Sequence, residues 1–97
     1  MRDRFDAVRE QIAVNDEAIV AAVNRRLDLV TELWQLKQEL GLDTVDPDRE
    51  RFLRQRLAAA SSGPLSPAGL DRLVTELLDL TKRELGPLQF APELHVG

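Results

Sequence analysis

The chain of 97 residues contains no cysteine. Disulfides and thiolate metal sites are therefore excluded, and the composition fits a reducing compartment. No apolar run approaches the roughly 20 residues that a membrane helix needs. The opening Met-Arg-Asp-Arg-Phe-Asp lacks the apolar core of a signal peptide, so the expectation is a cytoplasmic protein. There is no basic excess either. The net charge is −4 and the isoelectric point is about 4.9, whereas a nucleic-acid binder usually carries a basic stripe and a high pI. No segment alternates with a period of two, so no strands are expected. The single histidine, His95, lies near the end of the chain and receives no role.

Residues 3–40 also lack proline and glycine. Their apolar positions include Phe5, Val8, Ile12, Ile19, Ala22, Val23, Val30, Leu33, Trp34 and Leu40. Steps of three, four and seven predominate, which predicts one long helix. Gly41 stands in the position that ends helices. Asp46-Pro47 starts another, with Asp46 as N-cap and Pro47 at the first helical position. This second helix is expected over 47–60, burying Phe52, Leu53 and Leu57. Ser66-Pro67 repeats the cap signal, and a third helix follows over about 67–85. Its apolar set is Leu70, Leu73, Val74, Leu77 and Leu78, and Gly86-Pro87 is expected to end it. The fold class is thus all-α, with residues 1–88 as one domain and 89–97 as a loose tail.

A first helix of about 37 residues would span roughly 55 Å. A compact chain of this size is only about 35 Å across. Something must cover the apolar stripe, and a second copy of the chain is the economical answer. The competing answer is the two short helices folding back along it.

Three stripe positions are polar: Asn15, Arg26 and Lys37. Arg26 and Lys37 lie about three full turns apart, roughly 16 Å along the axis, and point the same way. A cation at the edge of a stripe often keeps its head in water. A buried one needs an anion, because an unpaired buried charge is costly. The pair therefore marks a site for a small anion. Arg9 lies about 100° away around the helix and roughly 25 Å along it. It is a surface charge in a monomer, but in an antiparallel dimer it can reach the partner's site. The segment Asp46-Pro47-Asp48-Arg49-Glu50 adds carboxylates and exposed N–H groups at a helix start. Asp46 is explained by capping, and Glu50 is either a site residue or a solvated charge. Thr81 falls in an apolar row, where threonine often bonds the carbonyl one turn back.

Taken together, these residues resemble the all-helical chorismate mutases. The resemblance rests on Val8-Arg9-Glu10-Gln11-Ile12, Asp16, Asn24-Arg25-Arg26-Leu27-Asp28-Leu29-Val30, Lys37 and Asp46-Pro47-Asp48-Arg49-Glu50. The spacing matches without a gap from residue 8 to about residue 60. The resemblance implies an interlocked helical homodimer that converts chorismate to prephenate, in phenylalanine and tyrosine biosynthesis, without cofactor or metal. It implies that Arg26 and the partner's Arg9 hold the two substrate carboxylates. It gives Lys37 the ether oxygen, and Glu50 and the backbone at Asp46 the ring hydroxyl. Arg49 supports the carboxylate side, and Thr81 touches a carboxylate. One turn after Thr81 the family usually has Gln or Glu as a second donor to the ether oxygen; here that position is Leu85.

Some small mutases end in a similar Leu-Gly and are activated by docking to the first enzyme of the shikimate pathway. On that resemblance Leu85-Gly86-Pro87-Leu88 becomes a candidate contact. Two alternatives stay open: an isochorismate pyruvate-lyase of the same fold, which typically lacks the glutamate at Glu50, and a non-catalytic helical interaction module.

Overall fold

The structure is a computed structural model that describes residues 2–42 and 47–96, with side chains described for 2–42 and 48–86. It contains three helices, α1 (Arg2–Leu40), α2 (Pro47–Ala60) and α3 (Pro67–Val96), and no strand among the described residues. The chain divides into two units, Met1–Leu33 and Trp34–Gly97.

The first unit is a single stretch of α1. Val23, Arg26, Leu27, Val30 and Thr31 are half-buried, whereas Phe5, Ile12 and Ile19 are exposed. Thr31 donates its hydroxyl to the Leu27 carbonyl at 2.9 Å, so its polar atom is satisfied within the helix.

The second unit begins with the last turns of α1. Gly41 takes φ 68°, a conformation that costs an L side chain roughly 1–2 kcal/mol. Leu42 N–H reaches back to the Lys37 carbonyl at 2.8 Å, and Gly41 N–H to the Gln38 carbonyl at 3.3 Å. These two bonds form a complete Schellman cap, the helix end that Gly41 predicts.

Helix α2 starts at Pro47, as the proline at the first helical position predicts. Asp46, its expected cap, lies outside the described residues. Helix α3 starts as expected too: Gly69 N–H donates to the Ser66 hydroxyl at 3.0 Å, and Leu70 N–H to the Ser66 carbonyl at 2.9 Å. The two helices pack on each other through one face of each. Leu53 and Leu57 of α2 are half-buried, and Val74 of α3 is only 1 % exposed.

Three expectations are corrected. Phe52 is exposed rather than buried. It lies about 100° around α2 from Leu53, and its ring sits 4.7 Å beneath the Arg49 guanidinium. Leu73 is exposed as well, for the same angular reason relative to Val74. Helix α3 continues to Val96, where a stop at Gly86-Pro87 is expected. Gly86 does not adopt the positive φ of a terminating glycine. Each proline in that stretch, Pro87 and Pro92, removes one backbone donor from the ladder, and the helical path is kept past both.

Candidate active site

Two of the sequence-predicted site residues, Arg9 and Arg26, belong to the first unit. Arg9 is exposed, and its guanidinium lies 5.5 Å from the centre of the Phe5 ring. Arg26 is half-buried, and desolvation lowers its pKa from the usual arginine value. An arginine stays protonated at neutral pH despite such a shift. The physical content is that water solvates this cation incompletely, so an anion placed against it gains more than at a free surface.

The second unit holds the rest. Lys37 is half-buried in the last turn of α1, where its own backbone carbonyl accepts the capping bond from Leu42. Arg49 and Glu50 lie in the first turn of α2, both exposed. The ring of Phe52 gives the Arg49 guanidinium an apolar shelf. Thr81 and Leu85, each 7 % exposed, share the buried face of α3 one turn apart. The Thr81 hydroxyl donates to the Leu77 carbonyl at 2.7 Å, which is the intrahelical bond that a buried threonine favours.

Sequence reasoning missed Arg54. Its guanidinium binds acceptors on three residues of two helices. One nitrogen donates to Asp71 Oδ1 at 2.6 Å, and the other to Thr75 Oγ1 at 3.1 Å and Glu50 Oε1 at 3.3 Å. Part of this was legible, because Glu50 and Arg54 stand four apart with the acid first, the favourable order on a helix. The contacts to Asp71 and Thr75 cross between helices and carry no local signature. Arg54 also borders a hollow of about 270 Å³ between α2 and α3, floored by Ala58, Leu70 and Val74. No predicted site residue lines it. The carboxylates of Asp71 and Glu50 already occupy the cation at its rim, so it is poorly suited to a dianion.

The family model for chorismate mutase type II matches residues 8–84. The chain belongs to the type II chorismate mutase family. Neither the comparison with curated proteins nor that with solved structures gives a match. The protein is accordingly an isomerase that converts chorismate to prephenate, and the reading as a non-catalytic helical module gives way. The match spans Arg9, Arg26, Lys37, Asp46, Arg49, Glu50 and Thr81, and it ends one residue before Leu85. A chorismate mutase performs a unimolecular rearrangement in which no nucleophile, metal or proton transfer is required. The protein contributes by holding the compact conformer and by placing donors where negative charge develops on the ether oxygen. A residue set rich in Arg and Lys suits that task.

Proposed function

We propose that this chorismate mutase works as an interlocked homodimer with two sites, each completed by the partner's Arg9. In this reading Arg26 and the partner's Arg9 hold the two carboxylates of chorismate. Lys37 donates to the ether oxygen as its bond to carbon breaks. Glu50 accepts from the ring hydroxyl, with the backbone at Asp46 beside it. Arg49 reinforces the carboxylate side, and Thr81 lies close to it. Family membership across these positions supports the assignment.

One observation carries the dimer. Among the described residues of α1 none is buried, and Phe5, Ile12 and Ile19 are each at least half exposed. A helix of 39 residues whose apolar stripe stays wet lacks most of its expected burial. Each such side chain gains about 1.5–3 kcal/mol when fully covered. A two-fold copy supplies an identical stripe in antiparallel sense. The same pairing brings Arg9, a surface charge in one chain, to the other chain's Arg26.

Leu85 bears on the rate. A buried leucine stands at the position from which the family usually offers a second donor to the ether oxygen. Lys37 then acts on that oxygen without this partner, which favours a slow enzyme. The test joins two measurements on the purified chain. Sedimentation velocity should report a dimer, and chorismate should disappear with prephenate as the identified product. A monomer that turns chorismate over at full rate would overturn the shared site. Pyruvate release from isochorismate, without prephenate formation from chorismate, would overturn the substrate assignment.

A further inference from the structure

Glu50 is an awkward residue for the role given above. Chorismate carries two carboxylates in that reading, and Glu50 adds a third negative group nearby. Like charges brought close together in a site that excludes part of the water repel one another strongly. A carboxylate that accepts from the substrate hydroxyl must therefore be held in place and partly neutralised. It stands in the first turn of α2, half exposed, where it has ample rotamer freedom.

The structure assigns this holding to Arg54, a positioning residue that acts through Glu50; the inference rests on the reading of Glu50 as the hydroxyl acceptor. The Arg54 guanidinium is anchored on α3 by Asp71 Oδ1 at 2.6 Å and Thr75 Oγ1 at 3.1 Å. A further contact reaches the Asp71 carbonyl at 3.4 Å. From that anchor it takes Glu50 Oε1 at 3.3 Å. Among the described residues this bond takes one carboxylate oxygen, and the other is the one to accept a hydroxyl donor. An isolated exposed ion pair holds its partners only weakly. This one differs because the cation is fixed by two groups on a second helix before it meets Glu50. The planar fork of arginine serves several acceptors at once, which a lysine ammonium does not reproduce in the same geometry. Helix α3 thereby sets the orientation of a carboxylate on α2.

A double-mutant cycle on the full chain tests this, with kcat and KM for chorismate and thermal stability measured for each variant. The variants are Arg54→Gln, Glu50→Gln, their combination, Arg54→Lys and Glu50→Ala. Arg54→Gln should lower kcat/KM about tenfold while Glu50 is present, and by less than about twofold in the Glu50→Gln background. Arg54→Lys should restore the charge but only part of the loss. Equal losses in both backgrounds would show that Arg54 merely clamps two helices, and the inference would be wrong. A silent Glu50→Ala, which deletes both acceptor oxygens, would remove the hydroxyl-acceptor role itself and the inference with it. If Arg54→Gln does not fold, Asp71→Asn replaces it in the cycle. That variant weakens the anchor from the α3 side, and its loss should likewise depend on Glu50; a loss independent of Glu50 overturns the inference.

Discussion

Lys37→Ala removes one ammonium group from the last turn of α1 and leaves the backbone cap in place. The Schellman bonds use the Lys37 carbonyl and the Gly41 and Leu42 amides, none of which the substitution touches. Loss of a cation near a helix C-terminus costs about 0.3–1 kcal/mol. Alanine is the better helix former and returns a few tenths of a kcal/mol. The net change in stability is thus about 0.5 kcal/mol, which moves Tm by only about 2–4 °C for a domain of this size. The effect on catalysis should be far larger. Removing one donor aimed at a developing oxyanion typically costs about 2.7–4 kcal/mol, or roughly a 10²–10³-fold fall in kcat. Because this donor works hardest in the transition state, kcat should fall more than KM rises. The assay follows chorismate absorbance with prephenate identified chromatographically, beside a thermal melt of the same preparation. A near-normal kcat would refute the role of Lys37. So would a rate loss that simply tracks the unfolded fraction.

The remaining predictions concern the shared site and the helix ends. Arg9→Ala should inactivate the enzyme, and mixing it with Lys37→Ala chains should recover activity, because one of the two sites in a mixed dimer is then intact; absence of recovery in verified heterodimers argues that each chain builds its own site. Gly41→Ala should destabilise the chain by about 1–2 kcal/mol in a chemical melt. The added methyl meets nothing within 4 Å, so the whole cost is the positive φ, and Gly41→Asn should cost less. Ser66→Ala should cost about 1 kcal/mol through loss of the bond to Gly69 N–H, with Ser66→Asp retaining most of it.

Several features were legible because their causes are local. The termination of α1 at Gly41 and the starts of α2 at Pro47 and of α3 after Ser66 depend on residues within one turn of each other. The polar interruptions of the stripe, Arg26 and Lys37, were visible from periodicity alone, and both prove half-buried. Family membership likewise comes from the linear sequence, over residues 8–84. Other features depend on which face of a helix meets a neighbour. Phe52 and Leu73 count as apolar in any pattern, yet each lies about a quarter turn from the packed face and stays exposed.

The sequence by itself determined the three helices, most of their ends, and the cationic set that identifies a chorismate mutase. Only the structure decided that α3 runs past Gly86-Pro87 and that Arg54 ties Glu50 to Asp71 and Thr75. The reason is physical. Caps and periodicity arise from neighbours along the chain, whereas the α3 contacts of Arg54 join groups 17 and 21 residues apart, which become neighbours only when α2 and α3 pack.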